Sequence, residues 1–584
     1  MPAETAPRRL LLLSILAGAL GLAGGAAAWS LLHLIGLITN LALFHRYGWA
    51  VPSFRHLPRG PGLIFAALAG GLVISFLARW SPVIRGHGIP ETMEAVLTKQ
   101  SRISPRAALA KPLSAAVAIG TGGPFGAEGP IIVTGGALGS LLGQVVHVSP
   151  AERKILLACG AAAGMAATFG TPLAAVILAI ELLLFEFSAR AFVPLVVASS
   201  LAAGMHVAFF GSGPLFAVPA HSYAGLGKLP LYAVLGGVCG LVAVFVTKGL
   251  HLVESVYRRL PVSEFFHPII GAAGFAAVGY VVPRALGVGY DAIGDVLAGR
   301  IAVGALAALV VAKLVAWWVA LGSGTSGGTL APVLLIGGGA GSLVGSAIAA
   351  MAPGLHVSPG AFALVAMAAV FGASARATFA SMVFVFEVTR DYQIILPLML
   401  ASVVADIVAS ALMRESLMTE KLSRRGLRVH AEYEVDVFRT TRVRDVMTTS
   451  VTSLPEDATV ADARALIQSS THNAYPVVDA DGCITGIVSR GDAMMEGAEP
   501  ADPIGSIATP HVVTVSPDDT LLDALNIMMQ EEADHLPVVD RSEHLVGICT
   551  RTDVLRARAR QMELEQRQRG WRPVRKRNDV AGSP

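Results

Sequence analysis

Long apolar runs fill the first part of the chain and then stop. They recur from about Leu10 to about Met413, whereas charged residues, threonine, aspartate and short β-rich runs dominate from Arg424 onward. This change of pattern predicts a membrane part of roughly 420 residues, followed by a soluble part of roughly 150 residues.

The first apolar stretch is longer than a secretory signal. Arg8 and Arg9 precede a run that continues to Phe44, well beyond the apolar region of a signal peptide. A signal peptide is the alternative, but the length favours a long, tilted first membrane helix.

Several later apolar segments are too short to cross a bilayer as straight helices, which need about 20 residues. Gly86–Leu97, Ile131–His147 and Val333–Ala350 fall short of that length and are bounded by glycine and proline. Non-helical backbone at membrane depth is tolerated only where protein or a water-filled cavity satisfies its N–H and C=O groups. Glycine-rich loops that open helices there expose N–H groups and positive helix ends, which select anions.

The membrane part contains an internal duplication. With an offset of 202 positions, Ile119–Gly143 aligns without a gap on Leu321–Gly345, and the HVSP segment at His147–Pro150 recurs at His356–Pro359. Repeats of short apolar segments interrupted by glycine and proline are typical of transporters and related pores.

Composition agrees with a membrane protein and restricts its ligand. The chain of 584 residues is 54% hydrophobic and 15% charged, with a mean hydropathy of +0.63. Acidic residues are few in the membrane part, whereas a cation pathway would favour acidic rings or carbonyls. Basic clusters at Lys421–Arg428 and Arg551–Arg577 flank the soluble part and favour a cytoplasmic location for it. The four cysteines have no metal or disulfide spacing.

Three motifs in order now point to a family. GHGIP at Gly86–Pro90, GAEGP at Gly126–Pro130 and GGTLAP at Gly327–Pro332 resemble the three anion-pore signatures of the CLC chloride channel and transporter family. The resemblance implies a polytopic α-helical membrane fold with inverted repeats of broken helices. It also implies a homodimer in the lipid bilayer, with a separate pathway for chloride or another small anion in each subunit.

The resemblance assigns a gating role to Glu128. In the family, the carboxylate at this position occupies an anion site and leaves it when it is protonated or displaced. A charged carboxylate at membrane depth needs partners, and neighbouring amides can supply them; a glutamate that caps a helix near the surface is the alternative. The implied anion-binding residues belong to the signatures and the final membrane segment: Gly86, His87, Gly88, Ile89, Gly126, Ala127, Gly129, Thr329, Leu330 and Met418.

Three of these residues depart from the family pattern, so the anion preference stays open. His87 replaces a serine; its imidazole can donate to an anion, or it can be neutral and bonded to backbone. Leu330 replaces a phenylalanine, which is a mild change because the backbone N–H makes the contact. Met418 stands about where a pore-facing tyrosine is expected, and a thioether cannot donate a hydrogen bond.

A fourth departure leaves channel and exchanger as alternatives. Leu182 follows Glu181 at a position where chloride/proton exchangers commonly carry a second glutamate and channels an apolar residue. Glu186, one helical turn on, is either a substitute proton route or an ordinary surface glutamate. Glu181 and Glu387 occupy equivalent repeat positions, and we expect both to be structural.

The soluble part is duplicated as well. Val443–Glu496 and Ile504–Arg558 each predict an extended run, a helix, two strands joined by a turn, and a second helix. They resemble a tandem pair of CBS domains, which often bind adenine nucleotides. The matching nucleotide-binding residues, one pair in each copy, are Ser489 with Asp492 and Thr550 with Asp553. ATP, ADP or AMP is the implied ligand and no cofactor is required; helix capping in a dimerisation module is the alternative.

The predicted domain limits follow from these patterns. The membrane domain covers 1–422, with repeats at about 60–210 and 230–415, and a linker covers 423–440. CBS domains cover 441–500 and 501–560, and a basic, disordered tail covers 561–584.

Competing functions find less support in the sequence. A divalent-cation transporter with CBS domains would need acidic or carbonyl-lined sites. An intramembrane enzyme would need a motif such as HExxH, and neither this motif nor GxxxxGK[ST] occurs. We therefore expect a multi-pass transporter of the plasma or inner membrane, without a catalytic site, a metal site or a nucleic-acid partner.

Overall fold

A computed structural model describes residues 7–146, 148–216, 218, 226–427, 438, 441–470, 472–495, 498–510 and 512–568, the side chains of 561–568 excepted. The chain divides near residue 433 into two units. The predicted linker at 423–440 lies largely outside the described residues.

Helices build the first unit, and its described residues contain no β-structure beyond isolated bridges. The helices, in chain order, are α1 Pro7–Leu43, α2 Pro61–Trp80, α3 Ile89–Thr98, α4 Pro105–Gly120, α5 Glu128–Val145, α6 Pro150–Phe169, α7 Pro172–Ala179, α8 Ala189–Phe210, α9 Leu229–Arg259, α10 His267–Val281, α11 Tyr290–Leu297, α12 Val303–Gly322, α13 Leu330–Met351, α14 Pro359–Ala375, α15 Thr378–Thr389, α16 Ile395–Leu412 and α17 Glu420–Arg424.

Seven spans in the described part of the chain are long and apolar enough to cross a membrane: α1, α2, α8, α9, α12, α13 and the segment Tyr392–Leu412 that contains α16. The first of them has 37 residues without a break, which confirms one long first helix. The remaining apolar helices are shorter, as the glycine and proline interruptions predict.

One of the three short segments was predicted wrongly. α3 has 10 residues and α5 has 18, so both are shorter than a straight membrane span, as expected. α13 has 22, because it begins at Leu330 and includes Pro332 in its first turn, where proline costs no internal hydrogen bond.

The two halves of the first unit meet at a local twofold axis. Gly126 and Gly328 are equivalent in the 202-residue repeat, and each donates its N–H to the carbonyl of the other, at 3.1 and 2.8 Å. The bridge between them is antiparallel. A reciprocal pair between equivalent residues is what an inverted repeat requires.

A second reciprocal contact repeats this symmetry. The carboxylate of Glu181 accepts the N–H of Ala380 at 3.0 Å, near the start of α15. The carboxylate of Glu387 accepts the N–H groups of Leu173 and Ala174 at 3.0 and 2.7 Å, at the start of α7. Each glutamate caps the helix of the other repeat, so the structural role expected for both residues agrees with their contacts.

The second unit contains two copies of one small α/β motif. The first copy has β1 Leu454–Pro455, α18 Val460–Ser469, β2 Ala474–Val478, β3 Ile484–Ser489 and α19 Arg490–Ala493. The second has α20 Leu521–Gln530, β4 His535–Val539, β5 Leu545–Thr550 and α21 Arg551–Gln568. β1 runs parallel to β2, while β2–β3 and β4–β5 are antiparallel hairpins, in the predicted order of elements.

The predicted tail begins too early. α21 continues to Gln568, so residues 561–568 are helical rather than disordered, and 569–584 lie outside the described residues. Glutamate, glutamine, leucine and arginine dominate this segment, and they are strong helix formers.

Candidate functional site

The carboxylate of Glu128 lies at the junction of the two repeats. Glu128 is the first residue of α5 and is only 1% exposed. Its Oε1 accepts the phenol O–H of Tyr290 at 2.7 Å. The backbone N–H of Ala331, in the first turn of α13, also faces the carboxylate. The carboxylate therefore lies between the positive ends of two helices, where an anion is favoured.

Glycine is needed around this carboxylate for space. A β-carbon on Gly126 would overlap Oε2 of Glu128, and one on Gly328 would lie 2.9 Å from the same atom. A β-carbon on Gly129 would overlap the carbonyl oxygen of His87. The glycines of the signatures therefore let the second and third loops approach the carboxyl group and let the first loop pack against the start of α5.

The first signature forms the loop before α3. Gly86 and Gly88 have φ values of 92° and 95°, which favour glycine, and Gly86 forms a parallel bridge with Ser326. His87 is 2% exposed, its Nδ1 has no hydrogen-bond partner among the described residues, and its ring faces the backbone of Leu417. Both sequence alternatives for His87 thus stay open, because one ring nitrogen is free and the ring also faces backbone.

Four of the predicted anion-binding residues line one small cavity beside Glu128. They are Ile89, Gly129, Thr329 and Leu330. Ala127 is buried immediately before α5, and Met418 is fully buried, with its own N–H on the hydroxyl of Ser416 at 3.2 Å. Met418 is not among the residues that line the cavity.

Sequence reasoning missed three polar residues of this region. Tyr290 reaches Glu128, and Lys111 and Lys313 are fully buried at equivalent repeat positions. Lys111 donates its Nζ to the carbonyls of Ile84 and Gly86, both at 2.7 Å, and Lys313 donates to that of Gly287 at 2.8 Å.

A fourth loop explains these residues. Gly287 and Gly289, with φ values of 63° and 84°, precede α11 as Gly86 and Gly88 precede α3. Tyr290 therefore stands where Ile89 stands in the other repeat. The signal was present in the sequence, since GVGY at 287–290 matches GHGI at 86–89 with an offset of 201.

Leu182, the residue after Glu181, is apolar and also has apolar surroundings. Leu182 lies in a π-helical continuation of α7, Ile180–Leu184, and lines a cavity whose lining residues are all apolar. The helical-turn relation expected for Glu186 is wrong, because Phe185 has φ 58° and ends the helix. Glu186 is exposed and pairs with Lys154 at 3.2 Å.

The soluble unit has a polar cavity between its two copies, and the two predicted nucleotide-binding pairs differ there. The cavity includes Thr550 and Asp553 but neither Ser489 nor Asp492. His535 also lines it, and burial lowers the pKa of this imidazole below its ordinary value, against the opposing effect of nearby aspartates.

Both predicted pairs form capping boxes. The carboxylate of Asp492 accepts the N–H of Ser489 at 2.8 Å, and that of Asp553 accepts the N–H of Thr550 at 2.9 Å. These bonds match the capping alternative, and the second pair also lines the cavity described above.

Comparison with known proteins identifies the family. The voltage-gated chloride channel family matches residues 67–410, and the CBS domain family matches residues 443–499 and 504–560. The H(+)/Cl(−) exchange transporter ClcA of Cronobacter sakazakii is 31% identical over 444 residues, covering 74% of this chain and 92% of that protein.

Two solved structures share the fold. A slow cyanobacterial Cl−/H+ antiporter has a TM-score of 0.61 at 23% identity and covers 71% of this chain and 96% of its own. A eukaryotic CLC transporter has a TM-score of 0.59 at 21% identity and covers 93% of this chain and 98% of its own. The chain therefore belongs to the CLC family of chloride channels and chloride/proton antiporters, and it carries a tandem pair of CBS domains.

Proposed function

We propose that this protein carries chloride or a related small anion across a membrane, with Glu128 as the gate of each anion pathway. One observation carries the proposal: a buried carboxylate lies between the N-terminal ends of α5 and α13, which equivalent glycine loops bring together. An anion and this carboxylate compete for the same N–H donors. Protonation of Glu128 removes its charge and therefore favours the anion.

The remaining site residues take supporting roles in this proposal. The loops at 86–89, 126–129 and 327–330 supply backbone N–H groups other than those of Gly126 and Gly328, which bond each other's carbonyls. His87 adds an imidazole donor. Met418 adds no donor, because its thioether has no hydrogen to donate and it does not line the cavity beside Glu128. The named activity of the ClcA relative, exchange of H+ and Cl−, supports chloride as the transported anion.

Reconstitution into liposomes tests the gate. Chloride efflux is recorded between pH 5 and pH 8 for the wild type, for Glu128→Gln, and for Glu186→Gln as an exposed control. We expect chloride-selective efflux that rises as pH falls in the wild type and in the control. Glu128→Gln should retain efflux but lose its pH dependence, because the neutral amide competes equally poorly at every pH. An unchanged pH profile in this variant would contradict the gating role.

Proton coupling is a separate question with two opposed observations. The apolar lining around Leu182 favours anion conduction without stoichiometric proton exchange. The ClcA relatives are named exchangers and favour coupling. Simultaneous chloride and pH recording decides between them: a chloride gradient drives protons uphill only in an exchanger.

We propose the remaining architecture on the same basis. Two copies of the chain form a homodimer in the bilayer, and the CBS pair lies on the cytoplasmic side, where its flanking basic clusters favour it. The membrane domain spans 1–422, and the CBS domains span 441–500 and 501–560. An adenine nucleotide binds the cavity that includes Thr550 and Asp553.

A further inference from the structure

One side chain outside the three signatures contacts the gate directly. The phenol O–H of Tyr290 donates to Oε1 of Glu128 at 2.7 Å, across 162 residues of sequence. We propose that Tyr290 is a positioning residue that holds the Glu128 carboxylate in the anion site and so sets how often an anion displaces it. This inference rests on the proposed gating role of Glu128.

The loop that carries Tyr290 is held in place from behind. Gly287 and Gly289 adopt the left-handed conformation before α11. The fully buried Lys313 donates to the carbonyl of Gly287 at 2.8 Å. Because a buried carbonyl without a partner is costly, this bond ties the loop to α12 and fixes the start of α11.

The ring of Tyr290 is fixed as well. It packs edge-on against Phe169, with centroids 6.1 Å apart, and against Phe216, with centroids 6.2 Å apart. Little side-chain entropy is left to lose when the hydroxyl meets the carboxylate. The hydrogen bond is therefore preorganised for the position of Glu128 in this structure.

Comparison of the two repeats shows that the hydroxyl occurs in only one of them. The equivalent residue in the other repeat is Ile89, which has no polar atom in its side chain and lines the cavity beside Glu128. The fold therefore needs no hydroxyl at this loop position. The phenol occurs only where it meets the carboxylate.

The energetic consequence concerns occupancy of the anion site. A hydrogen bond to a charged acceptor is stronger than a neutral one, and it must be broken when Glu128 leaves. The phenol thereby raises the occupancy of the anion site by the carboxylate and lowers its occupancy by the anion. Removal of the hydroxyl alone should free the site without altering the helix ends that form it.

A double-mutant experiment tests this role. Tyr290→Phe keeps the ring and removes the hydroxyl, and it is made in the wild type and in Glu128→Ala. Tyr232→Phe is the matched control, because this buried ring packs on Phe362 instead. Initial chloride efflux is measured from liposomes, and chloride affinity is measured by calorimetric titration of the full-length protein in detergent.

In the wild type, Tyr290→Phe should increase efflux and tighten chloride binding, each by about tenfold or more, as loss of a charged hydrogen bond predicts. In Glu128→Ala it should change neither quantity, because the acceptor is gone. Tyr232→Phe should behave as the wild type in both measurements.

Three outcomes would overturn the inference. Unchanged efflux and affinity in Tyr290→Phe would do so, and so would an equal change in the Glu128→Ala background, which would show an effect that bypasses the carboxylate. A different outcome, the absence of efflux from both the wild type and Glu128→Ala, would contradict the proposed transport and not this inference. The chloride titration would then still measure whether Tyr290 acts on the site. The third overturning outcome is the absence of chloride binding to Glu128→Ala, which would contradict the proposed transport as well as the role of Tyr290.

Discussion

At the scale of single residues, isolated polar groups in apolar surroundings carry the function that we propose. Glu128, Lys111 and Lys313 are each at most 1% exposed, yet each has a partner. The lysines bind carbonyls of the loops before α3 and α11. A buried charge without partners would cost several kcal/mol, so these contacts explain why the chain tolerates the charges.

The two buried lysines provide a stability prediction. Lys111→Met and Lys313→Met should each lower the free energy of unfolding by about 1–3 kcal/mol, because a loop carbonyl loses its donor. Thermal melting in detergent, followed by size-exclusion fluorescence, measures the change. Lys99→Met is the exposed control. Melting temperatures equal to that of the control would show that the loops do not depend on these bonds.

His87 provides a prediction about selectivity. Its free Nδ1 can donate to an anion, whereas a serine in its place would offer a donor on a shorter side chain. His87→Ser should therefore change the chloride-to-nitrate flux ratio in liposomes. His356→Ser, at an exposed position, should leave this ratio unchanged. If flux and selectivity both stay unchanged in His87→Ser, the imidazole does not contact the anion.

At the scale of elements, reciprocal contacts between the repeats hold short helices together. α7 and α15 have 8 and 12 residues, too few to be stable or to span a bilayer alone. Each begins at the carboxylate of a glutamate from the other repeat. Capping across the twofold axis therefore compensates for helices that the sequence keeps short.

This arrangement predicts matched losses of stability. Glu181→Gln and Glu387→Gln should each cost about 1 kcal/mol, because an amide keeps an acceptor but loses the charge that favours a helix N-terminus. Melting in detergent reports the change, with Glu186→Gln as control. A loss in only one of the two variants would argue against equivalent roles.

At the scale of the whole molecule, a membrane unit is joined to a CBS pair whose two copies are not equivalent. Both copies keep the Ser/Thr–Asp capping box, but only Thr550 and Asp553 line the cavity between them. Duplication thus supplies two similar motifs whose surroundings differ.

Nucleotide binding should follow the same asymmetry. Millimolar ATP, ADP or AMP should raise the Tm of the CBS unit in the full-length protein. A nucleotide at a hundredfold excess over its Kd adds about 3 kcal/mol to the free energy of unfolding. Asp553→Asn should abolish the shift while keeping the cap, since the amide oxygen can still accept the N–H of Thr550. Asp492→Asn should leave the shift intact. No shift in the wild type would indicate a purely structural pair.

The architecture could be predicted from the sequence alone, because the information that specifies it is local. Hydropathy along the chain, the spacing of glycine and proline, and two alignments of the chain with itself predict the membrane unit, its duplication and the CBS pair. The same local pattern singles out Glu128, since a lone carboxylate between glycines can be recognised in the sequence without knowledge of its contacts. Helix ends were less predictable: α13 begins before its proline, and α21 runs on to Gln568.

Which polar groups meet could not be predicted without the packing of the helices and loops. The bond from Tyr290 to Glu128 and the reciprocal caps of Glu181 and Glu387 join residues more than a hundred positions apart. The partners of the two buried lysines likewise depend on how elements pack. So does the lining of the CBS cavity, which includes Thr550 and Asp553 but not Ser489 and Asp492. A sequence records which side chains can bond, whereas packing fixes distance and direction, and these decide which bonds form.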